Sequence, residues 1–184
     1  INSFHKLVFH SQFQLNNIFF REEFADALSF ITVSQSFDTK NMCLEIIGNL
    51  WNFLNNTSTP LTSEKIINTV VGFCTPGYSN QHDILPNAFF AVANLCAMSK
   101  NTRDMLISLN IIYYLDKYLT QQTCHRQVYS GLRLSFNLLV YGVDDIWNLI
   151  APLICKIRFH TLNIDLKNRA LAARCLILIT KNTE

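Results

Sequence analysis

Apolar positions along this chain recur with a helical period. In "NNIFFREEFADALSFITVS", Phe24, Leu28 and Ile31 fall at i, i+4 and i+7, which is one stripe of a helix. Three longer apolar stretches follow the same period: "NMCLEIIGNLWNFL", "NAFFAVANLCAM" and "VYSGLRLSFNLLV". Between them, "NTRDMLISLNIIYYLDKYLT" predicts a short amphipathic helix, a break near Asn110 and a second helix. Two other connectors, "TSEKIINTVVGFC" and "DDIWNLIAPLICKIRF", leave room for one helix each. Their starts are marked by Ser63 with Glu64 and by Asp144 with Asp145, residues suited to helix N-termini. Stops are expected at Pro76-Gly77 and at Gly142.

These elements repeat. The dipeptide Asn-Leu recurs at Asn49, Asn94 and Asn137, spacings of 45 and 43 residues, each time late in a long apolar stretch. One further period lands in "RALAARCLILIT", where the helix is right but the Asn is missing. The chain therefore divides into units of two or three helices: 15–56, 57–100, 101–142 and 143–184, with a partial unit over 1–14. Such a unit cannot bury its apolar face alone, so neighbours stack and share one continuous core. Ala88, Ala91, Ala93, Ala170, Ala172 and Ala173 are small enough for close helix approach. Both ends of the sequence are apolar and lack an obvious cap, as in a slice of a longer array.

Composition supports a helical body. Only 5 Gly and 4 Pro stand in 184 residues, and 15% of the chain is charged. That is too few turn residues for an all-β fold and too little charge for a disordered chain or a coiled coil. The longest apolar runs, about six residues, are far short of the roughly 18 needed to span a membrane. Six cysteines lie well apart with no C-x-x-C spacing. They read as buried reduced thiols and point to an intracellular protein, cytoplasmic or nuclear.

The stretch "AFFAVANLCAMSKNTRDMLISLNIIYYLDKYL" resembles the armadillo repeat, whose third helix carries an A-x-x-A-L-x-N-L pattern ahead of a short helix and an apolar one. The resemblance runs over nearly the whole chain, is strongest over residues 82–120, and extends to the related HEAT repeats. It implies an all-α, right-handed α-solenoid of about four armadillo-like repeats. It also implies a function: in such arrays the third helices line the concave face, and their Asn side chains hold the main chain of an extended peptide. Asn49, Asn94 and Asn137 occupy those positions. An amide offers both a donor and an acceptor and can pair with any peptide unit. The alternative use of the same asparagines is to hydrogen-bond within the array, bridging adjacent helices.

Importin-α, the nuclear-import receptor of this family type, carries Trp four residues before each such Asn and clasps Lys and Arg stems there. Here those positions hold Glu45, Phe90 and Arg133. The one W-x-x-x-N match, Trp51 with Asn55, is out of register by six. An import receptor is thus the alternative, and a scaffold or adaptor for a partner protein the first reading. A structural subunit of a large assembly, with apolar ends covered by neighbours, is the second alternative.

Other chemistry is missing. There is no G-x-G, G-x-S-x-G or H-E-x-x-H, and the spacing of Gly72 and Gly77 lacks the Lys of a phosphate loop. His5 and His10, five apart, are too far round a helix to share a metal. No catalytic residue, metal or cofactor is expected. A net charge of +2 does not call for nucleic acid or an anionic membrane. An RNA partner would read aromatics in register, and these are not. The charge is unevenly spread, however. Residues 1–120 carry seven Lys/Arg and nine Asp/Glu, and residues 121–184 carry eight and four. The second part is basic, largely on the expected inner helices through Arg126, Arg133, Lys167, Arg169 and Arg174. A basic groove prefers an acidic partner segment, extended or helical.

Overall fold

The structure is a computed structural model that describes residues 23, 26–27, 29–30, 33, 36–50, 64–75, 84–120, 124–140 and 146–181. The expectations placed on His5, His10, Phe24, Leu28, Ile31, the Trp51–Asn55 motif, Ser63, Pro76-Gly77, Gly142 and Asp144-Asp145 lie outside those residues. Four long helices follow one another as α1 (Phe37–Leu50), α3 (Ile84–Met98), α6 (His125–Val140) and α9 (Leu166–Lys181). Each packs most extensively on the next, α1 on α3, α3 on α6 and α6 on α9, so that they form one row. A second layer holds the shorter helices: α2 (Glu64–Gly72), α4 (Lys100–Ser108), α5 (Ile111–Thr120), α7 (Ile146–Ile150) and α8 (Ile154–His160). Among the described residues there is no strand.

The helix limits follow from local chemistry. Ser99 caps α4, its Oγ accepting from the Thr102 amide at 3.1 Å. The break expected near Asn110 is a left-handed residue, φ 60°, which Asn tolerates because its short amide can bond locally. Gln127 in the first turn of α6 reaches back to the Cys124 amide at 3.0 Å, as the third residue of a capping box does. Asp165 caps α9 by accepting from the Asn168 amide at 2.9 Å. The connector over 146–160 departs from the expected single helix. It is broken into α7, a 3-10 turn over Ala151–Leu153 and α8. Pro152 is the cause: it donates no amide hydrogen bond, and its ring clashes with the preceding turn.

The core is continuous across the row. Every residue of α3 from Ile84 to Cys96 is buried except Phe90. Ala88, Ala91 and Ala93 are fully covered, which lets both neighbouring helices approach. Gly48 of α1 sits under the Phe90 ring, where an added Cβ would lie 2.6 Å from the ring Cδ1. Gly131 of α6 is crossed by α5 in the same manner, at 2.8 Å from Leu119 Cδ2. Phe89 stacks on Tyr118 with ring centroids 4.0 Å apart, and the Tyr118 hydroxyl bonds Ser130 at 3.1 Å. On α9 only Asn168, Ala172, Cys175 and Ile179 are buried, a single stripe, and Ala170 and Ala173 are exposed rather than packed.

The thiols divide. Cys43, Cys74, Cys96 and Cys175 are buried, and burial pushes Cys96 and Cys175 up to about 12, Arg103 opposing the shift at Cys96. Cys124 and Cys155 are exposed, which corrects the uniformly buried reading. Cys124 precedes the first turn of α6 and Cys155 lies on an uncovered side of α8. Among the described residues no helix is long and apolar enough to cross a membrane, and no three His, Cys, Asp or Glu side chains gather as metal ligands.

Candidate functional site

The recurring asparagines form a ladder. Asn94 Nδ2 donates to the Gly48 carbonyl at 2.5 Å, and Asn137 Nδ2 donates to the Ala93 carbonyl at 2.6 Å. In both cases the acceptor is the residue just before the preceding unit's Asn. The amide nitrogens therefore join α3 to α1 and α6 to α3. Asn94 is only 1% exposed, so its side chain lies between helices and does not face an open groove. This corrects its expected place: a neighbouring backbone carbonyl holds the donor a ligand would need. Its Oδ1 has no partner among the described residues. Asn49 Nδ2 instead bonds the Glu45 carbonyl of its own helix at 2.8 Å. Asn49 and Asn137 are half-buried.

Further bonds join neighbouring units, over 39 to 46 residues. Asn168 Nδ2 donates to the His125 carbonyl at 3.0 Å, and the Cys175 thiol points at the Leu132 carbonyl at 3.8 Å. Asn87 Nδ2 donates to Asn41 Oδ1 at 2.5 Å, and Asn87 Oδ1 accepts from Arg126 at 2.5 Å. Sequence reasoning missed Asn41, Asn87 and Asn168. The signal was available, because Asn87 follows Asn41 by 46 residues, close to the repeat length.

Glu45, Asn49, Phe90 and Arg126 do come together. With Pro86, Asn87, Tyr129 and Ser130 they line a cavity of about 230 Å³ on the row of long helices. Arg133 lies beside it, its guanidinium 5.1 Å over the Phe90 ring centroid, a distance suited to a cation–π contact. A second cavity of about 310 Å³ shares Arg126 and Tyr129 with the first and adds His125, Asp165, Lys167 and Asn168. A third of about 230 Å³ shares His125 with the second and is otherwise lined by Phe159, Leu162, Asn163 and Ile164. The first two, through Arg126 and Tyr129, adjoin as a groove along α1, α3, α6 and the start of α9, and the third meets the second at His125. Arg169 and Arg174 are exposed on α9 but line none of these hollows. Arg126, Lys167, Arg169 and Arg174 make no ion pair among the described residues.

Neither a protein-family model nor a curated protein sequence matches the chain. Solved structures do. A designed armadillo repeat protein in complex with the peptide (KR)4 superposes with a TM-score of 0.69 at 14% identity, over 95% of this chain and 80% of that one. A computationally designed armadillo repeat protein for modular peptide recognition gives 0.71 at 15% identity, over 96% and 74%. An engineered protein gives 0.70 at 16% identity over 84% of this chain, which spans 62% of that protein's length. At such identities the likeness concerns the fold. The fold is an armadillo-like all-α solenoid.

Proposed function

We propose that this chain is a non-enzymatic binding scaffold that holds a partner protein by an acidic segment, extended or helical, laid along the groove. The observation that carries this reading is the pair of adjoining hollows that share Arg126, with Lys167 at the second. Both cations have exposed side chains and make no ion pair among the described residues. Guanidinium and ammonium groups in such a concavity favour carboxylates, through charge-assisted hydrogen bonds and through steering at a distance. Arg169 and Arg174 add to that field without lining the hollows. Asn49 lines the opposite end of the groove, its amide donor bonded to the Glu45 carbonyl.

A basic ligand fits less well. The designed protein named above holds (KR)4, and a ligand cation of that kind seeks an aromatic face. In this chain the Phe90 ring already carries Arg133, so an incoming Lys or Arg would have to displace a tethered guanidinium. The same contact weighs against the import-receptor alternative. Titration of the full chain with fluorescein-labelled Asp/Glu-rich peptide and with labelled (KR)4 tests the reading by anisotropy. The acidic peptide should bind, more weakly as salt rises, and Arg126→Ala with Lys167→Ala should weaken it about tenfold or more. Tighter binding of (KR)4 would overturn the assignment.

The assembly alternative has its own support in α9, where Ala170, Ala173 and Ile177 are uncovered although α3 is covered on both sides. Sedimentation of wild type and Ile177→Asp distinguishes the two uses, since only an assembly role makes the oligomeric state depend on that face.

A further inference from the structure

The third hollow is unlike the other two. It is lined by Phe159, Leu162 and Ile164, which are 67, 82 and 90% exposed, and Leu166 next to them is 68% exposed. Four large apolar side chains within eight residues, all facing water, form the kind of contiguous patch that marks a contact surface on a soluble protein. The turn that presents them is held in place. The amides of Thr161, Leu162 and Asn163 each donate to the carbonyl three residues earlier, all at 3.1 Å. Asn163 Oδ1 accepts from the Asp165 amide at 2.9 Å, and Asp165 in turn caps α9. The backbone of the turn is therefore held, and a ligand that meets the patch does not have to order that backbone.

Its position connects it to the groove. His125 belongs to both the apolar hollow and the cationic one, and Lys167 stands just beyond Leu166. We propose that the hollow of Phe159, Leu162 and Ile164 is an anchor pocket for a bulky apolar side chain of the same partner segment. The ligand class is then an acidic stretch flanked by a Leu, Phe or Met. This rests on the groove reading and adds a specificity element to it. Carboxylates meet Arg126 and Lys167 and give rate and orientation, and the apolar anchor gives most of the affinity, as desolvated anchors with a polar rim do.

Three labelled peptides test it on the full chain: a plain Asp/Glu peptide, the same peptide carrying Leu-Phe at its N-terminal end, and the same carrying it at its C-terminal end. One flanked form should bind about tenfold tighter or better than the plain one. The gain should vanish in Leu162→Ser with Ile164→Ser, two exposed positions whose change leaves the core intact, and the plain peptide should bind that variant as it binds wild type. Equal affinity for plain and flanked peptides would overturn the anchor and leave the acidic groove standing. Failure of every acidic peptide to bind would overturn both. If the double Ser variant instead converts a self-associated wild type to monomer, the patch is an interface between copies and the anchor is overturned.

Discussion

Helices α3 and α9 occupy equivalent places at the end of their units, yet they differ in almost every physical respect. Helix α3 lies between α1 and α6, carries no charged residue and is buried from Ile84 to Cys96 save for Phe90. Helix α9 has α6 on one side, carries Lys167, Arg169, Arg174 and Lys181, and buries one stripe. Ala170 and Ala173 face water where Ala88, Ala91 and Ala93 of α3 face helices. Among the described residues α3 has a long helix on either side and α9 has one, and the hollow of Arg126 and Lys167 lies between α6 and the start of α9. At the α3 end the groove is walled by Pro86, Asn87 and Phe90, and at the α9 end by Arg126 and Lys167, which make no ion pair among the described residues although Asp165 lines the same hollow.

That contrast can be broken most directly with one substitution made twice. Ala91→Glu places a carboxylate in a fully buried site on α3 and should cost more than about 4 kcal/mol, enough to prevent folding of a marginal array. Ala173→Glu on α9 should change stability by less than about 0.5 kcal/mol. Urea unfolding followed by far-UV circular dichroism reads both, and equal losses would mean that α9 is as enclosed as α3.

A smaller effect separates the ladder from the groove. Asn94→Ala and Asn137→Ala should each cost about 1–3 kcal/mol, because each removes a hydrogen bond that ties one long helix to the previous one. Asn49→Ala should cost less, its amide being bonded within its own helix and part-exposed. If Asn94→Ala left stability unchanged and altered only ligand affinity, the asparagine would be a ligand group after all.

The smallest effect is on pH. His160 of α8 is buried, and burial holds its imidazole below the ordinary 6.5, the Leu119 backbone opposing this in part. The unfolded chain therefore binds a proton more readily than the folded one. Stability contributed by neutral His160 is present above about pH 6.5 and is lost as pH falls through the lower folded-state value. The urea midpoint should drop between neutral and mildly acidic pH, and His160→Gln should reduce the drop. An unchanged pH profile in the variant would assign the titration elsewhere.

Much of the fold was legible in the residues. The Asn-Leu recurrence gave the period, Asn110 the break between α4 and α5, and the apolar stretches the long helices. Pro152 was legible too but was read past, and it splits the connector that was expected to be a single helix. The site was half legible. Glu45 and Phe90 were singled out because they precede the recurring Asn by four, and they do share a hollow with Asn49 and Arg126. Asn94 was misplaced, because a 3.6-residue period says which helix face is polar but not what stands opposite it. Its acceptor, the Gly48 carbonyl, is a backbone atom 46 residues away and leaves no mark on the sequence around Asn94. The apolar hollow went unnoticed because Phe159, Leu162 and Ile164 look like core residues until their exposure is known.

By itself, then, the sequence determined the helical class, the 43–45-residue period and the uneven charge. These are carried by local propensity and by residue types at regular spacing, and they need no knowledge of neighbours. Only the tertiary structure decided which amides are engaged by backbone carbonyls, that Arg133 covers Phe90, and that Arg126 and Lys167 face one groove while Arg169 and Arg174 stand outside it. Those outcomes depend on how each helix is rotated against the next. That rotation is set by packing around small residues such as Gly48 and Gly131, whose contacts come from other helices of the array.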